Sequence, residues 1–234
     1  MCAAPTVNPS GQSHDSREVV ELASLVMGCD IDAACVFVEE MQAQGVSLDS
    51  LYLDLLTPTA RRLGALWTAD ICDFTQVTTG LWRLQRLMHE LSPAFQLQMD
   101  RRAHGRWALL TTVPGDQHSF GLSMVGEFFR REGWNVRGGP LESMAELSRT
   151  VRSDWFALAG ISAGSEGMLD GVAACVRAIR SSTCNPNIKI LVGGPIFLER
   201  PELVSRVGAD ATAQDGQEAV RLADAMLAEE TPHG

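Results

Sequence analysis

The chain has 234 residues, 45% of them hydrophobic and 21% charged, which suits a globular protein able to bury one large core or two small ones. Its formal net charge of -10 opposes a phosphate backbone, so sequence-specific DNA binding by this chain alone is not expected. No apolar run approaches the roughly 20 residues that span a bilayer. No basic-then-apolar leader opens the sequence, and the six cysteines (Cys2, Cys29, Cys35, Cys72, Cys175 and Cys184) contain no C-x-x-C pair. A cytoplasmic protein with reduced thiols and no membrane partner follows as the expectation.

Residues 1–14, rich in Pro, Ser, Ala and Gly, read as a tail. Asp15 and Glu18 have capping-box spacing ahead of "VVELASLVM". A second helix is predicted over residues 32–44, with Gly45 as its stop. Leu48, Leu51, Tyr52, Leu55 and Leu56 have the spacing of a third helix, which Pro58 is expected to bend. Asp73 and Gln76 form a cap pair for a fourth, whose apolar stripe is Val77, Leu81, Leu84, Met88 and Leu91. Four helices with short connections predict a bundle over residues 15–92. A polar, basic linker with Arg101, Arg102, His104 and Arg106 follows over residues 93–106.

From residue 107 to about 230 the pattern changes. Strand signals at 107–113, 134–138, 155–162, 188–194 and 209–213 alternate with helical segments at about 121–132, 142–152, 168–181, 199–207 and 215–229. That alternation predicts an α/β domain with a doubly wound, flavodoxin-like, five-stranded parallel sheet. Ligands of such sheets bind at the carboxyl ends of the strands.

The first such end carries "VPGDQHSFGLSMV", residues 113–125. It has neither the G-x-G-x-x-G of a dinucleotide site nor a P-loop. The third strand ends at Ser162 rather than at a phosphoacceptor carboxylate. A metal ligand fits better: His118 offers one nitrogen to a metal while Asp116, two residues before it, takes a proton from the other and fixes the tautomer. Gly121 removes side-chain bulk at the helix start.

This D-x-H-x-x-G loop, Ser162 after the third strand and "VGG" after the fourth together resemble the cobalamin-binding fold of corrinoid proteins. The resemblance implies that His118 is the lower cobalt ligand with Asp116 as its partner. It implies further that Gln117 and Ser119 complete the loop, and that Gly121, Ser162, Gly164, Gly193 and Gly194 line a channel for the displaced nucleotide tail. The helical half is similar to the bundle of light-sensing cobalamin repressors: "LGALWTADICDFTQVTTGLWRL" places Trp67 where the Trp over the upper axial group stands. Two departures are plain. Val77 and Thr78 replace the Glu-His pair of those repressors, and Ser162-Ala163-Gly164 alters the S-x-L element.

With those departures, "TTVPGDQHSFG" and "GGPIF" resemble the AerR/PpaA antirepressors of photosynthetic bacteria, over roughly residues 45–225. The resemblance implies a non-enzymatic, light-linked regulator, without catalytic residues, that binds a transcriptional repressor protein. Its implied cofactor is hydroxocobalamin or another alkyl-free cobalamin, with heme on the same fold as an alternative. A corrinoid carrier of a methyltransferase system is the other alternative. His14, in the tail, is a candidate upper ligand in place of the missing bundle His. His89 reads as a helix-terminal cation, and His104 and His233 lie in polar surroundings. Trp82, Trp107, Trp134 and Trp155 read as core or strand-edge residues. Cys29, Cys35 and Cys175 read as core, and Phe74 as a candidate for the upper pocket only if its helix continues from Trp67.

Overall fold

The structure is a computed structural model, and it describes residues 16–28, 31–97, 105–116 and 119–228. His14, Asp15, Cys2, Cys29, Arg101, Arg102, His104, Gln117, His118 and His233 therefore lie outside the described residues. The chain divides into two compact units, Met1–Leu87 and Met88–Gly234. No helix among the described residues is long and apolar enough to cross a membrane.

The first unit is helical. Helix α1 (Arg17–Met27) is capped by Ser16, whose hydroxyl accepts from the Val19 N–H at 3.3 Å, so the cap lies at Ser16 rather than at the expected Asp15. The Arg83 guanidinium donates to the carbonyls of Val26 and Gly28 and satisfies the other end of α1. Helix α2 (Ile31–Ala43) stops at Gly45, whose φ of +90° needs no side chain in its way. The expected third helix is α3 (Leu48–Ser50), then a π-helical stretch (Leu51–Leu56), then α4 (Thr57–Thr68). Pro58 lacks the N–H that would continue the ladder, and the wider preceding turn absorbs it: both the N–H and the hydroxyl of Thr57 donate to the Tyr52 carbonyl.

Helix α4 ends before Asp70 (φ +54°), so Trp67 and Phe74 do not share a continuous helix. Helix α5 (Phe74–Leu97) opens with the predicted reciprocal cap: the Asp73 N–H donates to Gln76 Oε1 at 3.0 Å, and the Gln76 N–H donates to Asp73 Oδ1 at 2.7 Å. Leu22, Val26, Leu51, Tyr52, Leu56, Leu63 and Leu84 fill the core of this unit. Trp82 is exposed, not core, and Cys35 is half-buried.

The second unit begins with the last turns of α5, which run through Pro93, so residues 93–97 are helical where a linker was expected. Ser92 and Gln96 donate to Glu127 Oε2, and Phe95 meets Phe128 edge to face at 5.0 Å. These partners, distant in sequence, hold the turns around the proline. The five strands are β1 (Trp107–Thr112), β2 (Asn135–Gly138), β3 (Leu158–Ser162), β4 (Lys189–Gly193) and β5 (Ala211–Thr212). They form one parallel sheet in the order β2-β1-β3-β4-β5, the doubly wound arrangement predicted.

Helices α7 (Met144–Ser153), α8 (Leu169–Ser182), α9 (Pro195–Glu199) and α10 (Glu202–Val207) bury one face against Leu109, Ala159, Ile161, Ile190 and Val192. Helices α6 (Phe120–Arg131) and α11 (Gly216–Ala228) pack against each other so closely that a Cβ on Gly216 would lie 2.4 Å from the Phe128 ring. Trp134 is buried against Phe129, whereas Trp107 and Trp155 are exposed beside the amino ends of β1 and β3.

Candidate cofactor-binding site

Strand β1 ends at Thr112, and the chain turns at once. Pro114 presets φ for the second position of a type II turn, Gly115 takes the third with φ +90°, and the Asp116 N–H donates to the Val113 carbonyl at 2.9 Å. The buried Thr112 hydroxyl donates to the Asp116 carbonyl at 2.7 Å. Asp116 is thus held from both sides of its peptide, and its side chain is buried at 8% exposure. Gln117 and His118 follow immediately, outside the described residues, and Ser119 resumes as the half-buried residue ahead of α6, with no side-chain cap hydrogen bond.

Thr112, Ser162 and Gly193 stand side by side at the carboxyl ends of β1, β3 and β4, as successive register partners. The sheet therefore brings together three segments that the sequence separates by about fifty and thirty residues. Beyond that row the Ala163 N–H donates to the Gly193 carbonyl at 2.9 Å.

The glycines here fall into two kinds. Gly194 has φ +123°, and a Cβ on it would lie 2.0 Å from the Ala163 carbonyl oxygen, so the chain's own path demands glycine there. Gly121, Gly164 and Gly193 have no positive φ, and among the described residues a Cβ on any of them would meet nothing within 4 Å. Neither backbone conformation nor packing among the described residues accounts for glycine at those three positions. Open space at strand ends, kept free of side chains, is what a ligand with a narrow chain requires. The residues present fit the cofactor that the D-x-H-x-x-G loop implies.

Sequence reasoning missed two hydroxyls. Thr112 clamps the loop, and a buried polar residue closing a strand was its only signal. Thr212, paired with Val192 on the adjacent strand, has a buried hydroxyl with no hydrogen-bond partner among the described residues. Trp67 lies on α4 in the helical unit and is 47% exposed, and Phe74 is exposed on α5. Cys175, on α8, is buried in the core against Met144 of α7, and burial pushes its thiol up to about 11, so it stays a neutral thiol at neutral pH.

A family profile described as "B12 binding domain" matches residues 106–223. A 20.5 kDa protein of the bchF-crtJ intergenic region of Rhodobacter capsulatus is 32% identical over 179 residues, covering 76% of this chain and 92% of that protein. Dimethylamine corrinoid protein 1 of Methanosarcina acetivorans is 25% identical over 219 residues, covering 89% and 96%. The structure of the Methanosarcina barkeri monomethylamine corrinoid protein is similar in fold, with a TM-score of 0.72 at 17% identity over 87% of this chain and 95% of that one.

Proposed function

The chain belongs to the B12-binding domain family and is of its AerR/PpaA type, and from that premise we propose that it is a cobalamin-dependent, light-linked antirepressor that binds a repressor protein rather than DNA. The observation that carries the cofactor half of this reading is the open space at Gly193 on β4, Gly164 just past β3 and Gly121 in the first turn of α6, where no contact among the described residues requires glycine. The regulatory half is supported by the 32% identity to the bchF-crtJ intergenic-region protein and by the net charge of -10, which opposes direct DNA binding.

In this reading the Thr112 clamp and the type II turn fix where the loop leaves the sheet. His118 would hold the cobalt through one ring nitrogen, and Asp116 would accept the proton on the other, raising its basicity. Ser162, Gly164 and Gly193 leave room for the nucleotide tail, with the Thr212 hydroxyl as a polar contact beside it. When bound, an alkyl-free cobalamin would supply a cobalt centre with an open upper position, a form that illumination of an alkylated cobalamin produces. This chain's residues hold the cofactor, exclude bulk from one face and present the result to a partner.

A corrinoid carrier for methyl transfer is the second reading, and the 25% identity to a dimethylamine corrinoid protein across most of both chains favours it. Two measurements separate them. The absorption spectrum of the protein with its native cofactor is expected to show corrin bands, and heme bands would overturn the cofactor assignment. Gel filtration with the cognate repressor, in light and dark, is expected to show a complex in one state. Methyl transfer from the loaded protein to a thiol acceptor, with no complex in either state, would favour the carrier.

A further inference from the structure

We propose that the outer face of the α7–α8 layer is a docking surface for an acidic protein segment, held by Arg149, Arg152 and Arg177 with Trp155 at its edge. Arg149 and Arg152 are exposed and three residues apart on α7, hence on one side of the helix. Arg177 is exposed on α8, the helix packed against α7 through Met144 and Cys175 and through the Cys184 N–H to the Val151 carbonyl. Among the described residues none of these three guanidiniums has a hydrogen-bond or ion-pair partner.

The acids at this end of the layer are already engaged. Asp154 pairs with Arg137 at 2.7 Å, and Asp210 takes both Arg180 at 2.7 Å and the Ile190 N–H at 2.6 Å. Complementing the α7 dipole accounts for Arg152 in its last turn but not for Arg149 or Arg177. Trp155, two residues past α7, is 60% exposed, and the Trp107 carbonyl accepts from the Ala157 N–H just ahead of β3, which brings a second exposed tryptophan to the same edge.

A group of unpaired arginines beside exposed tryptophans has the composition of a protein-binding hot spot. It is a local exception in a chain of charge -10, whose remaining surface would repel a long polyphosphate running past the patch but not a short acidic segment confined to it. The occupant that fits is a protein segment offering Asp or Glu to the arginines and an apolar side chain to Trp155. Helices of a parallel α/β layer run opposite to the strands, so the carboxyl ends of α7 and α8 lie away from the cofactor loop. The inference rests on the partner-binding reading and adds where the partner sits.

The test uses the cobalamin-loaded full chain and a synthetic peptide of Glu, Asp and Leu, followed by tryptophan fluorescence at several salt concentrations, with a short duplex DNA in parallel. The peptide is expected to bind, to weaken with salt, and to lose about tenfold or more in Arg149→Glu/Arg152→Glu/Arg177→Glu, with cobalamin affinity unchanged. The neutral Arg149→Gln/Arg152→Gln/Arg177→Gln variant should show the same loss if charge reversal unfolds the chain. No peptide binding, equal binding by wild type and variants, or tighter binding of the duplex would overturn the proposal. Repressor binding unaffected by the variants would also remove this face while leaving the antirepressor reading in place. Peptide binding here with no repressor complex in any state would do the reverse.

Discussion

Gly193 and Gly194 are adjacent in the chain but are glycine for different reasons: a Cβ on the first would enter open space, and a Cβ on the second would strike the Ala163 carbonyl oxygen at 2.0 Å. The two positions therefore separate ligand binding from folding.

Gly193→Phe is expected to leave the thermal stability of the cofactor-free protein close to wild type, within about 0.5 kcal/mol as for unobtrusive surface changes, and to abolish cobalamin binding. Gly194→Ala is expected to destabilise the fold by about 3 kcal/mol, since both a forbidden φ and a backbone clash must be relieved. Calorimetry without cofactor and a cobalamin titration of each variant check the pair. Normal cobalamin binding by Gly193→Phe would remove the tail from this row.

Loss of the loop clamp should be milder than loss of the ligand. Thr112→Val keeps the shape and deletes the hydroxyl that holds the Asp116 carbonyl, so a loss of about 1 kcal/mol in stability and a faster cofactor off-rate are expected. His118→Ala is expected to change the visible spectrum of bound hydroxocobalamin outright, because under the proposed reading it removes the nitrogen that would hold the cobalt. Stopped-flow release rates and spectra of both variants distinguish the roles. An unaltered spectrum in His118→Ala would exclude it as a ligand.

Hydroxocobalamin is expected to bind more tightly than adenosylcobalamin in darkness. Where the related photoreceptors carry a Glu-His pair, this chain has Val77, which is buried, and Thr78. No bundle imidazole is available at that position to replace an adenosyl group, and Trp67 is a bulky neighbour for one under the AerR/PpaA resemblance. Each tenfold preference is about 1.4 kcal/mol, so a modest clash is measurable. Dark titrations of wild type, Trp67→Ala and His14→Ala are the check. Equal affinities in wild type would end the idea, and an unchanged His14→Ala would remove only the tail's part.

Alkaline pH should weaken the fold through Cys175. Burial raises its pKa in the folded state from 9.0 to about 11, so as pH climbs past 9 the unfolded chain releases this proton first. The stabilising difference is fully present below pH 9 and is lost as pH rises toward about 11. Melting temperatures of wild type between pH 8 and pH 11 are expected to fall more steeply than those of Cys175→Ala. Parallel slopes would show that the thiol is not the titrating group.

The sheet, its order and the carboxyl-end loop were legible because each depends on local pattern: alternating elements, a Pro-Gly turn and a D-x-H-x-x-G spacing. The Asp73–Gln76 cap was legible for the same reason. The continuation of α5 through Pro93 was not, since what holds it is Glu127, reached by Ser92 and Gln96 from more than thirty residues away. Nor does the string of letters distinguish Gly193 from Gly194, because only the fold reveals which of them faces a carbonyl. The exposed Trp82 was misread because an aromatic within a periodic helix looks like core from sequence.

The π-helical stretch at Leu51–Leu56 sets an angle as well as accommodating a proline. Each residue in an α-helix advances the chain by about 100°, so one residue taken up by a wide turn fixes the rotational phase of everything after it. Deleting exposed Asp54 would let that stretch relax to α-helical spacing and keep the rest of α4 in phase, whereas relaxing it with Asp54 retained would turn the rest of α4 by that angle about its axis. Leu63 would then leave the core and Trp67 would leave its exposed side, without either residue being mutated. The direction in which Trp67 points is thus set more than ten residues upstream, by the pitch of one turn.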